Sequence, residues 1–360
     1  MNFMERAAEL ARIGEGFTNP NPLVGAVIVK DGKIIGEGYH KKYGEAHAEV
    51  NALASCTESP EGADMYVTLE PCCHTGKQPP CTDAVIEAGI KRVFIGSRDP
   101  NPLVSGKGAD ILRNAGLEVT EDFERELCDK LNPIFFKFIT TGTPYVILKT
   151  AVTADGRTAA ASGDSKWITN EKSRENVHRT RRRAAAVMTG IGTVLRDDPE
   201  LTCRIENPKN PIRIICDSSL RIPMDSKIVK TAADAETIIA TLSHDFVKTR
   251  ELESLGIHVI KTREKNGEID LANLMTILGK MNIDSVLIEA GQTLNASVFE
   301  AGIIDLYQLY IAPKLIGGQN AKAPIGGRGI AKMSAAVQLG TPKVKLFDGD
   351  VMLEYEVIKK

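Results

Sequence analysis

Apolar residues recur along the chain with two periods, and the switches between them mark out its elements. Phe3, Ala7, Leu10, Ala11 and Gly14 fall at helical spacing, which predicts an amphipathic helix over 2–14. Thr18-Asn19-Pro20-Asn21-Pro22 stops it, because a residue before proline avoids helical backbone. Residues 23–30 and 33–39 read as a hairpin turning at Asp31-Gly32. A helix over 45–54, a strand over 65–69, a helix over 82–88 and a strand over 92–96 follow. That alternation predicts an α/β sandwich.

Residues 128–139 read as one more helix, and Thr140-Thr141-Gly142-Thr143-Pro144 breaks the pattern. A domain boundary is therefore expected near 144, giving domains over 1–144 and 145–360. β-forming residues resume at 145–150, and strands are expected over 185–189, 211–216, 236–241, 256–260, 283–288, 304–311 and 350–357. Helices are expected over 170–182, 245–255, 270–280 and 293–301, making a second doubly wound α/β sheet with an antiparallel C-terminal ending.

Composition narrows the class. With 42% hydrophobic and 26% charged residues, the 360-residue chain has a globular balance. No apolar run approaches the roughly 18 residues of a membrane span. Glu5, Arg6, Glu9 and Arg12 interrupt the start, so it does not read as a signal peptide. A formal charge of −2 offers nothing to nucleic acid or to a membrane surface. The seven cysteines are too few and too clustered for a disulfide framework, and point to metal in a reducing cytoplasm.

The cluster is His47-Ala48-Glu49 with Pro71-Cys72 and Pro80-Cys81. One imidazole and two thiolates hold zinc with a fourth position open, while Glu49, two residues from the imidazole, carries protons. Each Pro-Cys corner precedes a helix whose positive end favours thiolate. A purely structural zinc would need a fourth protein ligand from Cys73 or His74, but neighbouring Cys72 and Cys73 side chains point apart. The general zinc-deaminase pattern is H-x-E followed by P-C-x-x-C. This chain departs from it, because eight residues separate Cys72 from Cys81.

Those eight residues are informative. Asn21-Pro22-Leu23-Val24-Gly25, His40, His47-Ala48-Glu49, the run from Glu70 to Cys81, and Asp99-Pro100-Asn101-Pro102 together resemble the deaminase half of the bifunctional riboflavin-biosynthesis deaminase–reductases. The resemblance implies a cytidine-deaminase-like fold and a substrate carrying a ribose phosphate on a diaminopyrimidinone ring. His74 and Lys77 suit the phosphate, with His40 as a further donor. Asn21, Asp99 and Asn101 match positions that contact base and ribose.

The second half carries no G-x-G-x-x-G after a strand. Gly190-Ile191-Gly192-Thr193 and Gly291-Gln292-Thr293-Leu294-Asn295 instead follow expected strands, the latter opening a helix that suits a dinucleotide's phosphates. Lys149-Thr150-Ala151, Asp155-Gly156-Arg157, Ser165-Lys166-Trp167-Ile168-Thr169 and the run from Gly192 to Arg204 resemble the same family's reductase half. That half is similar in fold to dihydrofolate reductase and uses NADPH. The resemblance implies that Ala151, Trp167, Thr169, Thr193, Asp197, Gly291, Gln292, Thr293, Leu294, Asn295, Ala296 and Ser297 line the cofactor site. Ser165, Arg181, Leu201, Arg204 and Glu289 would meet the substrate, Arg181 and Arg204 as forks on its phosphate. Lys149, near a strand end, is a candidate donor to the opening sugar ring's oxygen. A homo-oligomer is implied as well. A deaminase of free or nucleic-acid bases with a nucleotide-sensor half, or a zinc-stabilised binding protein derived from such an enzyme, are the competing readings; the second should have lost Glu49 or the open coordination site, and Glu49 is present.

Overall fold

The computed structural model describes residues 2–75, 78–101 and 104–359. Its chain divides into two compact units, Met1–Gly142 and Thr143–Lys360.

In the first unit, α1 (Phe3–Ile13) leads into the hairpin β1 (Gly25–Lys30) and β2 (Lys33–Tyr39). Then come α2 (Ala48–Ala54), β3 (Asp64–Leu69), α3 (Cys81–Glu87), β4 (Arg92–Ser97), α4 (Lys107–Asn114) and β5 (Glu118–Thr120). The unit closes with α5 (Arg125–Asp129) and α6 (Pro133–Thr141). The sheet runs β2-β1-β3-β4-β5, antiparallel through β1 and parallel from β3 to β5. Alternate residues of β1 feed two cores, since successive strand side chains point to opposite faces. Ala26 and Ile28 pack with Ala48, Ala52, Val85 and Leu112, while Val27 and Val29 pack with Met4, Ala7 and Leu10.

Three local expectations change. The helix read over 128–139 is two helices, because Asn132 precedes Pro133 and lies outside the helical region at φ −122°, ψ 35°. His47 is the N-cap of α2, with extended backbone, and not part of its first turn. α3 begins at Cys81 itself. Its N-terminus, like that of α2, is thereby turned to one place.

The second unit starts with β6 (Tyr145–Thr153), α7 (Glu171–Arg183), β7 (Ala186–Gly190), α8 (Ile191–Asp197) and β8 (Ile212–Cys216). It continues through α9 (Lys227–Lys230), β9 (Thr237–Thr241), α10 (Phe246–Ser254), β10 (Ile257–Lys261) and the small hairpin β11 (Glu264–Lys265) and β12 (Glu268–Ile269). α11 (Leu271–Lys280), β13 (Ser285–Ile288), α12 (Gln292–Glu300) and β14 (Leu306–Ala312) complete the wound part; β15 (Gln338–Leu339), β16 (Lys343–Phe347) and β17 (Asp350–Ile358) end it. The sheet runs β10-β9-β8-β7-β13-β6-β14-β17-β15, with β16 also on β17. It is parallel up to β14, and β17 adds antiparallel. Strands β7, β8 and β9 are near-continuous apolar runs because helices cover both faces. Met188 and Ile214 pack with α11, whereas Val187 and Ile215 pack with Ile191 and Val194 of α8. This winding brings the C-terminal ends of β6, β7 and β13 side by side, where open α/β sheets bind ligands. Among the described residues, no helix is long and apolar enough to cross a membrane.

Candidate functional site

In the first unit, His47 at the start of α2, Cys72 after β3 and Cys81 at the start of α3 converge. His47 Nδ1 lies 3.5 Å from Cys72 Sγ and 3.3 Å from Cys81 Sγ. One ligand atom from each falls within 4.8 Å of the others. An imidazole nitrogen with two thiol sulfurs is a zinc donor set, and the spacing suits one ion. The backbone N–H groups of Cys81 and Thr82, at α3's positive end, donate to Cys72 Sγ and Cys72 O. Cys72 is thereby held near 4, chiefly by the Cys81 thiol and against its own burial, with His47 also lowering it. Cys81, hydrogen-bonded to Cys72 and buried, is pushed up in turn.

Glu49 faces the same spot from the first turn of α2 and is buried. Burial pushes its carboxyl up to about 7, and the Cys72 thiolate adds to the push. A divalent cation on the three ligands acts in the opposite direction. The carboxyl is thus poised to take up and release a proton near neutrality.

The remaining predicted residues of this half fall in three places. His40 is buried, its Nδ1 donating to Ala46 O at 3.1 Å, which leaves Nε2 to accept from the Asn21 amide at 3.2 Å. Burial lowers its pKa, so the neutral ring is favoured. His40 therefore orients Asn21 and has no proton left for a phosphate, contrary to the expectation for it. Asp99 is buried, raised to about 6 by that burial, and accepts from Asn101 N at 2.8 Å. His74 is exposed and its charge reaches Asp99. Lys77 and Pro102 lie outside the described residues.

In the second unit, a cleft of 560 Å³ opens at the ends of β6, β7 and β13. That volume is within the range of small-molecule and cofactor sites. Lys149, Ala151, Ser165, Trp167, Thr169, Thr193, Asp197, Glu289 and the run Gly291, Gln292, Thr293, Leu294, Asn295 line it. α12 starts here at Gly291 without a side-chain cap, so its first N–H groups face the cleft ready for an anion. Asn295 is 1% exposed, and its Oδ1 is buried without a partner. An uncapped helix start and an orphaned acceptor in a cleft of this size fit a dinucleotide.

Other predicted residues do not reach the cleft. Ala296 and Ser297 lie farther along α12 and line a separate groove beside the hairpin β11–β12, Ser297 bonding Glu268. Leu201 is buried in the core with Ile191 and Val194, at a positive φ of 54°. Arg181 is no free fork: its Nε donates to Glu289 Oε1 at 2.6 Å and its Nη1 to Thr202 O at 2.8 Å. Arg204 is exposed and pairs with Glu200. Lys149 Nζ sits 3.4 Å from Glu289 Oε2, so one carboxylate serves two cations. Burial works against that charge, yet Arg181 and Lys149 hold Glu289 down at about 2. Trp167, at 64% exposure, is no core residue; the Arg174 guanidinium lies over its ring at 4.6 Å. Arg174, Arg196 and Lys322 also line the cleft and were missed. Arg174 is one of several arginines on α7, Arg196 is the lone arginine of α8, and Lys322 lies in a stretch without periodicity, so no pattern singles them out.

Comparison with known proteins places this geometry among relatives. Residues 1–97 match the family model described as the cytidine and deoxycytidylate deaminase zinc-binding region, and residues 144–353 match the RibD C-terminal domain. The riboflavin biosynthesis protein RibD of Actinobacillus pleuropneumoniae is 52% identical over 99% of this chain and 95% of its own. A solved structure of Acinetobacter baumannii RibD superposes with a TM-score of 0.90 at 41% identity, covering 99% of this chain and 98% of that one. A Thermotoga maritima structure, titled a diaminohydroxyphosphoribosylaminopyrimidine deaminase/5-amino-6-(5-phosphoribosylamino)uracil reductase, gives 0.87 at 38% identity with the same coverage.

Proposed function

The chain belongs to the RibD family of riboflavin-biosynthesis proteins, and from that footing we propose how its two units divide the work. It is a bifunctional deaminase and reductase using zinc and NADPH. The unit Met1–Gly142 is read as the deaminase and Thr143–Lys360 as the reductase. The substrate is read as the diaminopyrimidinone bearing a phosphoribosylamino group, deaminated first and reduced second. The observation that carries this is a His-Cys-Cys donor set beside a buried carboxylate in one unit, with a dinucleotide-sized cleft in the other.

His47, Cys72 and Cys81 would hold the zinc, which when bound acidifies a water to a pKa of about 7. Glu49 takes the attacking water's proton and delivers it to the leaving amine, the role its buried place and lifted pKa suit. Asn21, oriented by His40, and Asp99 with Asn101 meet the base and ribose; His74 and Lys77 meet the phosphate. In the reductase, NADPH supplies a hydride to C1′ of the sugar. Thr193 and the start of α12 bind and orient the cofactor, and Lys149 donates a proton to the ring oxygen as the sugar opens.

Incubating the purified protein with that substrate should release ammonia first and consume NADPH only afterwards. Chelation supplies a sharper check: removing the metal should abolish ammonia release while the deaminated substrate still consumes NADPH. Loss of both together would refute the division.

The reading includes a second copy of the chain. Leu309, Leu353 and Val344 lie in register across β14, β17 and β16, and Ile311, Val351 and Leu346 form the next row. Cross-strand partners share a face, so these six aliphatic residues make one array. Val344 is 58% exposed and Leu346 74%, more apolar surface than an isolated subunit ordinarily leaves wet. Leu346→Asp should lower the native mass by sedimentation to that of one chain; an unchanged mass would count against the array as the contact. The cysteines form no disulfides, in keeping with a cytoplasmic enzyme.

A further inference from the structure

Glu70 stands between the end of β3 and Cys72, and it is 4% exposed. Its backbone N–H extends the pairing with β4 by donating to Ser97 O at 3.0 Å. Its carboxylate does something different. Oε1 accepts from the backbone N–H of Gly108 at 3.0 Å and of Ala109 at 3.3 Å. Oε2 accepts from Gly106 N at 3.0 Å and from Asp99 N at 3.3 Å. One buried carboxylate thus collects four N–H groups, from the first turn of α4 and from the chain leaving β4. Bonds of this kind to an ionised acceptor are stronger than neutral ones, and a helix start favours the charge.

The approach is too close for a side chain at position 108. A Cβ on Gly108 would stand 2.2 Å from Pro71 O and 3.2 Å from Glu70 Oε1. Glycine at 108 therefore lets α4 press against the Glu70–Pro71 corner. The linkage runs onward on both sides. Toward the metal, Pro71 leads directly into the ligand Cys72. Toward the substrate, Asp99 gives its N–H to Glu70 and receives that of Asn101.

We propose that Glu70 is a positioning residue of the deaminase site, fixing Asp99 and Asn101 at a set distance from the Cys72 corner. It touches neither substrate nor metal. Its work is to keep the groups that hold the pyrimidine in register with the groups that hold the metal. A glutamine there keeps the shape but turns one acceptor into a donor aimed at backbone N–H groups, so at least two of the four bonds fail. The inference rests on the reading of Asp99 and Asn101 as substrate contacts, and a double-mutant cycle separates the two.

Deaminase kinetics are measured for Glu70→Gln, Asn101→Ala and the double variant, with zinc content and NADPH oxidation of the deaminated substrate measured alongside. Glu70→Gln should raise the deaminase KM about tenfold, with full zinc and an unchanged reductase. The double variant should be no worse than Asn101→Ala alone. Multiplying effects would overturn the inference, as would an unchanged KM in Glu70→Gln, or loss of zinc, which would make Glu70 a plain support of the scaffold. If Asn101→Ala itself leaves KM alone, the failure lies with the substrate reading of that loop.

Discussion

Glu49→Gln should slow ammonia release by about a thousandfold or more, leaving zinc content and the reductase rate as they were. The expectation follows from where the side chain sits. Glu49 is on α2 two residues after the candidate ligand His47, so the helix that places that imidazole also places the proposed proton carrier. It is buried, and no bulk water can substitute for it as a base at that depth. Glutamine keeps the volume and leaves the three ligands untouched, so folding and metal binding are spared. Only the ability to hold a proton between water and amine is lost. A rate within tenfold of the unaltered enzyme would show that the proton travels by another group. Zinc content is the control for folding of the deaminase unit, and the reductase rate, whose cleft is built from residues after 143, controls for the amount of protein.

The deaminase centre was legible in the sequence because its parts are local. His47 caps one helix, Cys81 opens another and Cys72 follows the end of β3 closely, and the Pro-Cys and His-Ala-Glu patterns survive without knowledge of the fold. Strand positions were equally readable: β8, β9 and β13 are short apolar runs whose period needs no partner to be seen. What failed depended on distant neighbours. Arg181 looks like a phosphate fork until Glu289, 108 positions on, takes its Nε. Leu201 matches a motif but turns into the core at positive φ. His40 bears the right chemistry for a phosphate, yet Ala46 and Asn21 occupy both ring nitrogens. Ser297 follows the cofactor turn in sequence, but the helical rotation carries it to another groove. The split at Asn132-Pro133 does carry a local signal, since a residue before proline resists helix.

Lys149→Met should lower single-turnover hydride transfer about a hundredfold or more, with deamination unchanged. Lys149 lies on β6 and lines the cleft, and its ammonium can give a proton to the sugar's ring oxygen. Methionine fills the same space without a charge, and the substitution is tolerable because Glu289 keeps Arg181 as its partner. The reverse experiment, Glu289→Gln, would leave two cations facing a buried amide and cost about 3–5 kcal/mol, confusing stability with chemistry. The pH profile adds a second reading. Glu289 is held at about 2, below its ordinary 4.5, so its contribution is fully present above 4.5 and fades only as pH falls toward 2. The carboxylate therefore stays charged at pH 5, and any fall in hydride transfer between pH 7 and pH 5 cannot come from Glu289 releasing its cations. Stopped-flow loss of NADPH absorbance at both pH values measures this directly. A Lys149→Met enzyme that transfers hydride at the unaltered rate would remove Lys149 from the chemistry and leave it as the counter-charge of Glu289.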